Sequence, residues 1–173
     1  MSLRIDRSEI GSPVQRHRTL AVNDLHLIEG TMDTLGDPHN YLNQDGMDFL
    51  MLNDTHVTPW AFTSLPQSRP SKIVLQRESV QFLLFKGEEA QSQFREAPRT
   101  STLILNLPLA VIRGNAPFLS EARLNNFLDF WKGLFFPVTN AQIHYLATSS
   151  AQLPAQVPLL YVNRHSVQSY LQA

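Results

Sequence analysis

The chain has 173 residues, 43% of them hydrophobic and 17% charged, with a formal net charge of −1. That is enough apolar material for a packed core, too little charge for a disordered chain, and no general attraction to nucleic acid or anionic membranes. Cysteine is absent, which excludes disulfides, zinc–thiolate sites, iron–sulfur clusters and cysteine nucleophiles.

Residues 1–18 are polar, and Gly11, Ser12 and Pro13 break any pattern, so they are expected to form a loosely held arm. Arg4, Asp6, Arg7 and Glu9 stand where a signal peptide would need an apolar run, and no stretch approaches the length of a membrane span. A soluble, cytoplasmic protein without membrane contact is the expectation.

From residue 19 onward the chain reads as two units, 19–86 and 99–173, joined by a polar linker over 87–98 with room for a short helix. Each unit opens with two short apolar runs separated by a turn, 19–22 and 25–30 in the first, 102–105 and 109–114 in the second. These predict a β-hairpin whose second strand ends at Gly30 or Gly114. A short helix follows. In the first unit Asp37 stands at the cap position and Pro38 at the first helical position, which predicts a single turn. In the second, Ser120 is the predicted cap, and Leu124, Phe127 and Leu128 share one face. A long strand comes next, over 48–57 or 134–145. After a loop rich in Pro, Ser and Gln, a hairpin-like pair closes each unit: 73–76 and 80–85, then 159–163 and 167–171. The expected core is Leu27, Ile28, Leu50, Leu52, Val74 and Val80, with Val111, Ile112, Phe136, Val138, Tyr161 and Val167.

The two units also match residue by residue. Thr19-Leu20-Ala21-Val22-Asn23 recurs as Thr102-Leu103-Ile104-Leu105-Asn106, and Ile28-Glu29-Gly30 as Ile112-Arg113-Gly114. Asn40-Tyr41-Leu42 recurs as Asn126-Phe127-Leu128, and Arg77-Glu78-Ser79-Val80-Gln81 as Arg164-His165-Ser166-Val167-Gln168. The spacing between matched residues grows only from 83 to 87, as expected of a tandem duplication. The predicted fold is mainly β: two five-stranded, barrel-like or strongly bent sheets, each with one short helix, packed as a pseudo-dimer.

The strings Arg123-Leu124-Asn125-Asn126-Phe127-Leu128-Asp129, Phe135-Phe136-Pro137-Val138-Thr139-Asn140-Ala141 and Val162-Asn163-Arg164-His165-Ser166-Val167 resemble those of a family of uncharacterised bacterial proteins. The resemblance spans both units, is closer in the second, and implies architecture without an assigned activity. The order of elements is also similar to the Sm-like barrel, where a glycine ends the second strand and a bend joins the last two. Here the bend is Arg-Glu-Ser or Arg-His-Ser, and a helix interrupts the strands.

Few residues point to chemistry. The six histidines show neither an i, i+4 pair nor a His-x-His arrangement, and Asp33, Asp37, Asp45 and Asp48 do not have the spacing of a calcium loop. No nucleophile elbow, phosphate loop or dinucleotide fingerprint is present. No cofactor and no enzymatic activity are therefore expected. Arg77 and Arg164 are the most interesting polar pair. Each guanidinium either caps carbonyls at its bend or offers a contact to a ligand or nucleic-acid phosphate. Asn40 and Asn126 are shared at the helix start. The first unit carries eight acidic and four basic residues and the second two and five, with Glu29 in one facing Arg113 in the alignment of the other. That asymmetry reflects either drift on solvated surfaces or a contact it orients, between the facing units or between molecules associating head to tail. Three functions fit: an interaction or scaffold module with a protein partner or self-association, an Sm-like nucleic-acid binder, and a small-molecule sensor with its ligand between the units.

Overall fold

The structure is a computed structural model and describes residues 13–118 and 124–173. Its strands are β1 (Val14–Asn23), β2 (His26–Leu35), β3 (Phe49–Pro59), β4 (Lys72–Gln76), β5 (Val80–Lys86), β6 (Thr100–Asn106), β7 (Ala110–Pro117), β8 (Phe135–Tyr145), β9 (Gln156–Asn163) and β10 (Ser169–Gln172). The helices are α1 (Pro38–Leu42), α2 (Glu88–Ser92) and α3 (Phe127–Phe130), with single 3-10 turns at Arg77–Ser79 and Arg164–Ser166. The fold is mainly β, as expected. β1 begins five residues before the predicted first strand, so part of the presumed arm is sheet. The rest of the arm and the predicted cap Ser120 lie outside the described residues.

All ten strands form one antiparallel sheet in the order β10-β6-β7-β8-β9-β5-β1-β2-β3-β4. The order β5-β1-β2-β3-β4 in one half therefore recurs as β10-β6-β7-β8-β9 in the other. Neither half closes on itself. β5 spends its second edge on β9, pairing Phe82 with Val162 and Leu83 with Tyr161, and this extends the sheet where a closed barrel would need β5 to meet β4. The predicted closing hairpins are absent for the same reason. β4 pairs with β3 while β5 pairs with β1, so the Arg77–Ser79 turn sends the chain across the unit. The Arg164–Ser166 turn does the same between β9 and β10.

Two apolar clusters lie on opposite faces. Along the central strands neighbouring side chains alternate between them: Leu20 and Val22 enter one cluster and Ala21 the other, Phe82 and Leu84 one and Leu83 and Phe85 the other, Leu160 and Val162 one and Leu159 and Tyr161 the other. β3 and β4 feed only one cluster and β6, β7 and β10 only the other. Among the described residues the helices are single turns and give little cover, so each face is buried by its own flank of the sheet bending over it. Of the twelve expected core residues, nine are buried; Val111 and Val167 are half-buried, and Val74 is 58% exposed.

Register corrects the alignment of the two halves. Gly30 lies opposite Thr19 and Gly114 opposite Leu103; Ile28 lies opposite Ala21 and Ile112 opposite Leu105. The first two strands thus correspond at a constant spacing of 84, one residue away from the repeated Thr-Leu string, and both hairpin turns have the same length. The glycines do not end their strands. Each sits mid-strand across from a register shift, where β3 or β8 inserts an extra residue: Asp54 at φ 50 and Asn140 at φ 51. Asp and Asn are the non-glycine residues that best tolerate this left-handed conformation.

Candidate functional site

The paired arginines serve the fold. Arg77 Nη1 donates to the carbonyls of Leu42 (3.2 Å) and Gln44 (2.8 Å), at the end of α1. Arg164 Nη1 donates to the carbonyls of Leu128 (3.5 Å) and Trp131, around the end of α3. Each guanidinium thus anchors a helix end to the bend that redirects the chain, satisfying carbonyls a short helix leaves open. Asn40 is exposed, and its backbone N–H is bound by the Asp37 carboxylate that caps α1; Pro38 occupies the first turn as predicted. Asn126 precedes α3 without a side-chain cap bond, and its Oδ1 is buried without a partner.

Glu29 and Arg113 are not brought together. Glu29 accepts from Lys86 Nζ at 3.0 Å within its own half, and Arg113 is exposed on β7, with four strands between β7 and β2 in the sheet order. Among the described residues both ion pairs, Arg16–Asp33 and Lys86–Glu29, lie in the first half. What crosses the junction is different in kind. Asn43 clamps the backbone of Phe135, donating from Nδ2 to its carbonyl (3.0 Å) and accepting its N–H on Oδ1 (2.8 Å). Fully buried Asn163 donates from Nδ2 to the carbonyls of Glu78 (3.0 Å) and Val80 (2.9 Å), while its Oδ1 accepts the N–H of His165. Around these amides Phe135, Leu159 and Tyr161 of the second half pack into the cluster of Val80, Leu83 and Phe85. The junction is apolar at its centre and pinned there by two asparagines; at its edge the Leu109 N–H donates to Gln81 Oε1 (3.3 Å), and among the described residues no ion pair crosses between the halves.

A cleft of about 620 Å³ opens beside this junction, walled by α1, the segment after α2, Trp131 and Pro137. His39 stands at its inner wall, between Trp131 (ring centroids 6.2 Å) and Tyr161 (5.8 Å), with Nδ1 buried and unpartnered. Desolvation lowers the His39 imidazole below its ordinary value of 6.5, as it does for His17 and His26, so each is harder to protonate in the folded protein than in the unfolded chain. The unfolded chain takes up protons near that value while the folded one resists. Stability is therefore complete above about pH 6.5 and is lost progressively as pH falls below it. Replacing His39 by Asn should flatten this loss; urea unfolding on either side of that pH, for wild type and variant, checks it. Sequence marks His39 only as one of six histidines without metal-ligand spacing, and Trp131 only as part of an aromatic-rich stretch suited to packing or to contact between the units; their shared cleft becomes visible only when the halves are joined. Of the cleft's charged residues, Asp37 is engaged as a helix cap and Arg95 is exposed.

Part of the exposed apolar surface lies at the two ends of the sheet. Phe49, Met51 and Val74 on β3 and β4 are 59%, 44% and 58% exposed, and Leu171 on β10 is 47% exposed. Among the described residues no group of three or more His, Asp or Glu side chains is placed to hold a metal ion, and no helix is long and apolar enough to cross a membrane. Compared with protein-family models, with curated proteins and with solved structures, the chain matches none of them.

Proposed function

We propose that this protein is a tandem duplication of a five-stranded unit, assembled through β5 and β9 as a pseudo-dimer, and that it works as a non-enzymatic interaction or scaffold module. One observation carries the reading. Among the described residues the sheet ends on two strands, β4 and β10, each paired on one side only, and large apolar side chains stand exposed beside both. Unpaired strand edges are templates for a further strand, and proteins that do not use them normally cover or charge them. The shared strand order, the shared positions of Gly30 and Gly114, and the matching roles of Arg77 and Arg164 support duplication of the unit. A photo-reactive residue placed at Val74 or Leu171 in cells should trap polypeptide adducts far more often than the same residue at Phe62 or Leu146, which are as exposed but lie off the edges. Equal trapping at all four positions, or none at the edges, would overturn the reading.

A second reading, a small-molecule sensor, draws on the cleft beside His39 and Trp131. A ligand seated there would quench or shift Trp131 fluorescence and raise the melting temperature by mass action. Among the described residues the placement of the basic side chains adds nothing to the Sm-like nucleic-acid reading.

A further inference from the structure

The geometry points to a second copy of this chain as the occupant of the sheet edges: β4 of one molecule adds to β10 of the next, head to tail, in the register that already joins β9 to β5 inside the molecule. This rests on the interaction-module reading and names its partner.

The argument starts from the ladders. β3 and β4 pair Phe49 with Gln76, Leu50 with Leu75, and Met51 with Val74. β8 and β9 pair Phe135 with Asn163, Phe136 with Val162, and Pro137 with Tyr161. Phe49, Met51 and Val74 thus hold the places of Phe135, Pro137 and Tyr161. The second set is buried, with Phe135 at 0% and Tyr161 at 2% exposure; the first set is the exposed patch. The difference between them is the first half of the sheet, which covers one set and has no counterpart over the other. The same comparison holds at the opposite end. β1 pairs Ala21 with Leu83 and Leu20 with Leu84, and β6 pairs Leu105 with Tyr170 and Ile104 with Leu171. Leu84 is 5% exposed beneath the junction, whereas Leu171 is 47% exposed.

The receiving surface is already formed. Tyr161 seats against His39 and Phe85, in the cluster that holds Val80 and Leu83. Asn125, Val167 and Tyr170 stand in the places of His39, Val80 and Leu83, and with Leu124 they line an open cleft of about 630 Å³ along β10. Val74 of a neighbouring molecule is the side chain that the shared register delivers to it. Charge favours this polarity. With Arg16 and Arg18 of β1 included, β4 belongs to a half with a net of −2 and β10 to the half with +3, so head-to-tail contact joins opposite signs, while β4–β4 or β10–β10 contact joins like ones. A heterologous contact of this kind closes into a ring when its rotation divides a full turn and otherwise grows as a filament.

The internal pairs Phe82–Val162 and Leu83–Tyr161 extend to place Gln172 of one molecule opposite Lys72 of the next, and both side chains are exposed. The chain has no cysteine, so Lys72→Cys and Gln172→Cys are clean probes. Under mild oxidation a mixture of the two single variants should give a covalent dimer that neither gives alone, and the double variant should give a ladder of higher species. Without any substitution, the wild-type protein should sediment as a species that grows with concentration, and Val74→Lys should keep it monomeric. Disulfide dimers of Lys72→Cys alone or Gln172→Cys alone would overturn the polarity. A wild-type protein that stays monomeric, with no mixed dimer, would overturn the inference. If the photo-reactive residue at Val74 then still traps another polypeptide, the interaction-module reading stands without it; if it traps nothing, both fall.

Discussion

Gly114→Ala and Gly30→Ala should each cost about 3 kcal/mol or more, beyond the usual range for an added methyl in a packed core, and lower the melting temperature by on the order of 10 °C. The reason is distance. A Cβ on Gly114 would lie 2.5 Å from Val138 Cγ1 and 3.0 Å from the Thr139 carbonyl oxygen; one on Gly30 would lie 2.8 Å from both the Asn53 carbonyl oxygen and Thr55 Cγ2. Each glycine faces the bulged stretch of the neighbouring strand, where the extra residue brings the two backbones together. Gly114→Ala should cost less in a Val138→Ala background than in wild type, because the nearest contact is gone, although Val138→Ala is itself destabilising at that buried site. No such rescue exists for Gly30, because a backbone oxygen is among its nearest atoms. Gly46→Asn is the control. Gly46 has φ 74 but nothing within 4 Å of a Cβ, so a residue tolerant of that conformation should change little. Thermal unfolding of the set checks the argument. Near-wild-type melting of Gly114→Ala would mean that β7 and β8 stand further apart at the bulge than described.

Those glycines also show what the sequence makes legible. A glycine followed by polar residues reads as the end of a strand, yet β2 continues to Leu35 and β7 to Pro117. The missing signal was on another strand: Asp54 and Asn140, left-handed residues whose meaning depends on what lies across from them. Local chemistry was readable. The Asp37-Pro38 cap of α1, the bends at Arg77 and Arg164, and most of the core follow from residue type and period alone. Register was not. In an apolar run such as 102–106 a slide of one residue preserves the resemblance of the string while exchanging the faces. The repeated Thr-Leu match is such a slide, and only the pairing with Gly114 reveals it. The junction was least legible. Phe49 and Phe135, or Val74 and Tyr161, are alike in sequence, and burial separates them only because β5 chose β9 as its neighbour. The charge difference between the halves suggested an electrostatic contact, but apolar side chains and two asparagine amides fill that place.

Asn163 is where that junction should be most sensitive to a single substitution. Its side chain is fully buried and satisfies three backbone groups: the carbonyls of Glu78 and Val80 on the first half and the N–H of His165 on its own. Asn163→Ala leaves all three without their partner, and since an orphaned buried group costs about 1–3 kcal/mol, a loss of about 3 kcal/mol or more is expected. Asn163→Asp separates the donor from the acceptor. The carboxylate keeps the bond from His165 but turns oxygen toward two carbonyl oxygens, so near neutral pH it should be at least as destabilising as alanine. Burial beside those carbonyls favours the protonated acid, which can donate to one of them. The aspartate variant's folded-state pKa is then raised, and its deficit relative to alanine shrinks as pH falls through that value. Gln76 occupies the same ladder position on β4, where no second half covers it and its side chain is exposed. Gln76→Ala in dilute solution should therefore stay within about 0.5 kcal/mol of wild type. Denaturant unfolding of the three variants at neutral and acid pH measures the contrast. If Asn163→Ala unfolds no more readily than Gln76→Ala, the Asn163 amide adds nothing to the bridge between the halves, and the β5–β9 ladder, the Asn43 clamp and apolar burial hold them together without it.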